Sequence, residues 1–157
     1  NDQRGFCVAQ ASAEGLEDLV RTRIAVESLA LQQACARRTA AREEKLVLAF
    51  HRLSHTPRST QHDSFEENPD WERYHRTFHF ALLEGCESPL LLGFCEQLYD
   101  QAYRYRQLTA QKAFKERNHL DEHRAVFDAV MGNRVSDAQR LLAAHYEQTA
   151  RFYIGAT

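Results

Sequence analysis

Residues 68–84 read Asn-Pro-Asp-Trp-Glu-Arg-Tyr-His-Arg-Thr-Phe-His-Phe-Ala-Leu-Leu-Glu, and their reading decides the fold. Asn68 before Pro69 is a cap followed by proline at the first helical position. Trp71, Tyr74, Phe78 and Leu82 then fall on one face of a helix. The same period continues on both sides. Upstream, Ser12 caps a first helix running to about Arg38, with Glu14 in its first turn and Leu16, Val20, Leu31 and Ala34 on its stripe. A second runs from about Ala40 to His55 on Leu46, Val47, Phe50 and Leu53. The polar, unpatterned residues 56–67 form a loop. Downstream, Gly85 to Pro89 is a tight connection, and a fourth helix spans about 89–111. A fifth runs from Asn118 to Gly132-Asn133, and a sixth from Val135 to Gly155. Strand-like alternation is nearly absent, so the expectation is an all-α antiparallel bundle of six to seven helices.

The composition bounds what such a bundle can do. The chain has 157 residues, 43% apolar and 27% charged, which suits one domain with one core. Lys plus Arg is 20 against 22 Asp plus Glu, which leaves no broad positive field for nucleic acid or anionic membrane. No apolar run is long enough to span a bilayer, and the first residues lack a signal-peptide layout. The four scattered cysteines, without a C-x-x-C pair, read as reduced thiols of a cytoplasmic protein. Gly5 to Ala9 looks like the end of a strand belonging to something upstream.

The unusual count is eight histidines. Three H-x-x-x-H pairs occur, at 51/55, 75/79 and 119/123, and residues four apart share a helix face. Position against the apolar stripes separates them. His75 and His79 lie in the stripe of the third helix. His123 lies in that of the fifth, with Leu120, Phe127 and Val130. His145 lies in that of the sixth, with Ala138, Leu141, Leu142 and Phe152. His51, His55 and His62 read as surface groups, and His119, at a helix start, as a cap or a reserve ligand. One inward histidine is an ordinary core residue with a hydrogen-bonding neighbour. Four in one bundle are costly to bury unless each finds a partner, and one divalent ion would satisfy all of them. The string His75-Arg76-Thr77-Phe78-His79 lacks the glutamate that a zincin places between its ligands. No P-loop, nucleophile elbow or G-x-G-x-x-G occurs, so no residue is expected to be catalytic.

Several motifs in order carry a resemblance: Arg23-x-x-x-Glu27; Phe78-His79-x-Ala81-Leu82-Leu83-Glu84 before Pro89; Glu122-His123-Arg124 with Asp128-Ala129-Val130; and Ala138 followed by His145. Over about residues 12–152 the chain resembles the FCD domain, the effector-binding and dimerisation domain of FadR-type regulators in the GntR family. The run Cys95 to Asp100 is similar to carbon-starvation-induced (CsiR-like) members. The resemblance implies that 1–10 is the end of a wing strand and linker from an N-terminal winged helix-turn-helix domain, and that 11–157 is the FCD domain. It implies a homodimer that meets DNA only through that N-terminal domain, and no membrane. It also implies a divalent metal on His79, His123 and His145, with His75 standing where the family usually has Asp.

Four neutral imidazoles would leave a divalent ion with its full charge, so a more anionic effector is expected than beside an Asp ligand. Such a donor set suits zinc first, with nickel or iron as alternatives, over calcium or magnesium. The expected effector is a small carboxylate, plausibly a dicarboxylate. Arg23, Tyr103, Arg104 and Arg106 are the candidates to bind it, with a structural Arg23–Glu27 ion pair as the plainer reading of the first. Two rival functions are a metal-free dimerisation module and a helical-bundle metalloenzyme using Glu84, Glu122 or Asp128.

Overall fold

The computed structural model describes residues 10–155, and the expected wing strand over residues 1–9 lies outside them. Six helices follow in order: α1 (Ala13–Ala36), α2 (Ala40–Ser54), α3 (Pro69–Leu83), α4 (Pro89–Glu116), α5 (His119–Met131) and α6 (Val135–Ile154). A single 3-10 turn, Glu84–Cys86, links α3 to α4. Among the described residues there is no sheet, only an isolated bridge between Ser59 and Glu67. The all-α bundle expected from the periodicity is the observed architecture.

Local chemistry explains most of the boundaries. Ser12, Thr39, Asn68, Ser88 and Asn118 each accept a backbone N–H of the first turn that follows them. Each cap satisfies a donor that the helix itself cannot. Proline opens both α3 and α4. Asn133 adopts a left-handed conformation (φ 55°) in the short link between α5 and α6, a geometry that asparagine tolerates. Gly85 is required by proximity instead. A Cβ there would sit 3.1 Å from the Ala34 Cβ of α1, so the 3-10 turn presses directly on that helix.

The core explains why α4 extends five residues past the expected Gln111, to Glu116. Ala110 and Ala113 continue its inward face and are buried, so packing carries the helix through a polar stretch. α1 packs on α4 and α6, α2 on α3 and α5, and α5 on α6. Phe50 joins two of these layers, stacked on Phe127 at 4.4 Å between centroids and tilted on Phe78 at 5.7 Å. On α5 the stripe is rotated from the expected one. Val126 and Ala129 are fully buried with His123, while Leu120 is 38% exposed at the helix start. Cys35, Cys86 and Cys95 are free thiols, as read from their spacing, and among the described residues no helix is long and apolar enough to cross a membrane.

A candidate metal centre of four histidines

Phe78 is completely buried, and the rings of His79 and His123 meet its face edge-on at 5.8 and 5.5 Å. It forms one wall of the site. The i, i+4 pair on α3 brings in His75 and His79, α5 brings His123, and α6 brings His145. All four are buried, and a ligating nitrogen of each lies within 4.8 Å of the others. His79 Nε2 is 3.1 Å from His75 Nε2 and 3.3 Å from His123 Nε2.

The outer nitrogens of His75, His79 and His145 are held by named partners. Tyr146 donates its hydroxyl hydrogen to Glu27 Oε2, so the same oxygen accepts from His79 Nδ1 at 3.3 Å. This sets the His79 tautomer, with Nδ1 protonated and the Nε2 lone pair facing the other rings. His145 Nδ1 meets Glu122 Oε1 at 2.9 Å, which sets its tautomer in the same way. His75 Nδ1 meets the Tyr99 hydroxyl at 2.7 Å, a group able to donate or accept. A tautomer of His75 with its hydrogen on Nε2 would donate it to His79 Nε2. With Tyr99 accepting instead, His75 Nε2 becomes a ligand.

The two contacts of His79 Nε2, with His75 and His123, pass a geometric test. Metal–imidazole bonds of about 2.0–2.1 Å place two nitrogens on one ion about 2.9–3.4 Å apart, between right-angled and tetrahedral arrangements. The two Nε2 separations fall in that interval. Neutral nitrogen donors without a carboxylate match zinc and its transition-metal neighbours.

Burial, then the neighbouring histidines and arginines, holds His75, His79 and His123 well below the ordinary imidazole value. His145 is lowered to about 4, because burial outweighs the help from Glu122. All four are therefore neutral and able to ligate at neutral pH. Glu122 is held at about 2. Burial opposes this, but hydrogen bonds from Arg117 and His145 outweigh it.

Three ion pairs ring the cluster. Arg23 Nε meets Glu27 at 2.5 Å, Arg106 meets Glu72 at 2.8 Å, and Arg117 meets Glu122 through two nitrogens at 2.7 and 2.8 Å. Arg23 thus forms the structural pair foreseen as its plainer role, with its guanidinium 3.9 Å from the centre of the Tyr146 ring. One of its nitrogens, Nη2, still lacks a partner. Arg106 is buried beside Tyr99. The structure does not bring the other two effector candidates in: Tyr103 lies at the surface, donating to Glu67, and Arg104 is exposed. Sequence reasoning missed Tyr99, Tyr146, Arg58 and Arg117. His119 is not in the cluster. It accepts a hydrogen bond from Arg58 on the wall of an adjoining cavity.

The comparisons with known proteins agree with this architecture. Residues 18–148 match the model of the FCD domain. The HTH-type transcriptional regulator BphR of Paraburkholderia xenovorans is 37% identical over 147 residues, 94% of this chain and 60% of that protein. The HTH-type transcriptional repressor GlaR of Escherichia coli is 30% identical over 149 residues, 92% of this chain and 66% of its own. The chain thus spans under two thirds of the length of these relatives. Two solved structures share the fold at low identity. A GntR family regulator from Pseudomonas syringae superposes with a TM-score of 0.72 at 18% identity, over 97% of this chain and 60% of its own. E. coli McbR/YncC gives 0.73 at 16%, over 100% and 76%. Both curated relatives are named as transcriptional regulators.

Two outcomes follow from the geometry. A histidine held below its ordinary value takes its proton only in the unfolded chain. The stability of metal-free protein is therefore complete above pH about 6.5 and is lost as pH falls from there toward 4, by up to ~1.4 kcal/mol per pH unit for each histidine. Urea midpoints of chelated protein should be level from pH 8 to 7 and fall below about 6.5; a level midpoint down to pH 5 contradicts the buried neutral cluster. Second, Tyr146→Phe strips a partner from both Glu27 and His79. It should cost about 1–3 kcal/mol in denaturation and weaken metal binding about 10–100-fold.

Proposed function

The chain belongs to the FCD domain family of GntR-type transcription regulators, and we propose on that premise that it senses a small carboxylate bound beside a divalent metal. His75, His79, His123 and His145 would hold the ion, zinc first among transition metals. The observation that carries this reading is the convergence of the Nε2 atoms of His75, His79 and His123 at 3.1 and 3.3 Å, with the outer nitrogens of His75, His79 and His145 engaged by Tyr99, Tyr146 and Glu122. When bound, the ion supplies a Lewis-acidic positive centre for an anionic oxygen.

The protein's own groups do the rest. Arg23 and Arg106 add positive potential: they are among the charges that depress His79. Each has unpartnered buried N–H groups, at Nη2 of Arg23 and at Nε and Nη1 of Arg106, able to meet an acceptor. Tyr103, through Glu67, and Arg104 act at most on the periphery of the effector site. A dicarboxylate is favoured because four neutral ligands cancel none of the ion's charge.

Dimerisation and the coupling to DNA belong to the same proposal. Leu90, Phe94 and Leu108 share one face of α4 and are 72%, 49% and 57% exposed. These exposed apolar side chains, interleaved with Gln97, Gln101 and Arg104, support pairing with a second copy. Residues 1–10 would lead from an N-terminal winged helix-turn-helix domain, and the working compartment would be the cytoplasm. The effector would act by binding one arrangement of the dimer better than another.

Elemental analysis of protein purified without chelator should find metal stoichiometric with the chain, and His79→Ala should lose it. Full retention by that variant places the metal elsewhere, and none in the wild type favours a metal-free dimerisation module. Calorimetry of metal-loaded protein against short mono- and dicarboxylates should show heat of binding. Its absence across the series overturns carboxylate sensing.

A further inference from the structure

The arginines around the histidines are matched one to one with carboxylates, except at Arg58, which is partly buried. Arg23, Arg106 and Arg117 pair with Glu27, Glu72 and Glu122. Arg58 has no carboxylate within salt-bridge distance among the described residues. Its Nη1 donates to Nε2 of His119, a group that burial and Arg58 itself keep neutral, and its buried Nε has no acceptor. The guanidinium lies 5.4 Å from the Phe65 ring centre and 5.2 Å from that of Trp71. Burial and the nearby Arg117 and Arg106 lower it to about 10, against the pull of Glu72 and Glu122. A cation so placed is costly unless a counter-charge arrives.

The segment that carries Arg58 is built to hold it still. Ser59 Oγ accepts from the Gln61 and Glu66 amides at 3.0 and 2.9 Å and donates to the Ser64 carbonyl at 2.9 Å. Asn68 Nδ2 donates to the Pro57 carbonyl at 2.7 Å. Gln111 of α4 ties down Phe65, donating to its carbonyl at 2.9 Å. The backbone that presents Arg58 is therefore held before any ligand binds, which lowers the ordering cost at binding.

A cavity of about 440 Å³ lies under this segment, within the usual size for small-ligand sites. Arg58 lies on its wall, and so does His123, one of the four clustered histidines. Trp71, Phe114 and Leu120 contribute apolar lining. Arg117 also reaches the cavity, but its nitrogens are spent on Glu122, Thr149 and the His145 carbonyl.

We propose that Arg58 is the seat for the distal carboxylate of an α,ω-dicarboxylate, whose apolar spacer lies along this cavity and whose other carboxylate sits at the histidine cluster. The inference rests on the reading of that cluster as a metal-assisted effector site. A monocarboxylate would leave either the ion or Arg58 uncompensated, whereas a dicarboxylate meets both. Arg23, committed to Glu27, does not discriminate between the two ligand classes.

The test titrates metal-loaded protein with straight-chain dicarboxylates from succinate to suberate, and with monocarboxylates of equal carbon number, by calorimetry. The wild type should bind its best dicarboxylate at least about tenfold tighter than the matched monocarboxylate, as expected of a charge-assisted bidentate contact. Arg58→Gln should keep its metal and its monocarboxylate affinity and lose the preference. Arg58→Lys, which keeps the charge and the fold of the segment, should retain part of it. A wild type without the preference, or an undiminished preference in both variants, overturns the assignment of Arg58 and leaves carboxylate sensing standing. Carboxylates that fail to bind the metal-loaded wild type at all overturn the parent reading.

Discussion

Burying four unprotonated imidazoles at one point is the constraint on which the structure depends. Each ring brings one polar nitrogen that must be satisfied behind it and one lone pair that must be met in front. The rear problem is solved three times by different means: by Tyr99, by Tyr146 resting on Glu27, and by Glu122 held by Arg117. Those partners bring charges of their own. Glu27 then requires Arg23, and Glu122 requires Arg117, so the polar core spreads across α1, α3, α4, α5 and α6 from a single demand. The front problem is left to an ion or to a shared hydrogen.

The parts of this visible in the sequence are those that follow from period alone. Trp71, Phe78 and Leu82 define a stripe, and His75 and His79 lie in it whatever the neighbours are. The same holds for His123 and His145. Caps are equally local, so Asn68-Pro69 and Ser88-Pro89 mark boundaries before any packing is known. The partners behind the rings are not local. Tyr146 reaches Glu27, 119 positions earlier in the chain, and nothing in either helix taken singly says that they meet. Arg58 escapes for a different reason. It lies in a polar segment without period, where an arginine reads as solvated, and only the Ser59, Asn68 and Gln111 hydrogen bonds turn it inward. Arg104 and Arg106 stand together among the sequence candidates, yet only Arg106 is buried. Two residues along a helix amount to about 200° of rotation, enough to leave one exposed and the other buried.

His75 shows how one substitution passes through the whole electrostatic arrangement. An aspartate at that position would bring a negative charge to the ion and remove one imidazole from the rear network. With histidine, the protein contributes no charge directly to the ion, and the three surrounding ion pairs cancel among themselves. With a metal bound there, the positive charge left uncompensated would be that of the ion and of Arg58. Both would then be neutralised only by an anion arriving from outside, and in the proposed sensing role stability in one arrangement would be withheld until that ligand supplies it.

α4 is the element on which that withheld stability would act. Its inner face carries Tyr99 behind His75 and Arg106 against Glu72, and its final turns carry Phe114 to the cavity wall. Its outer face carries Leu90, Phe94 and Leu108 toward solvent. A helix of 28 residues moves as a rod, so a small rotation that improves the fit of Tyr99 and Phe114 around a ligand is reproduced along the outer face. A ligand that only filled the cavity without preferring one setting of α4 would bind and signal nothing. Arg58 sits across the cavity from α4, on a segment tied to it through Gln111. A dicarboxylate held at both ends would draw on both sides of that joint, which gives it a differential grip on the setting of α4 that a one-ended ligand lacks.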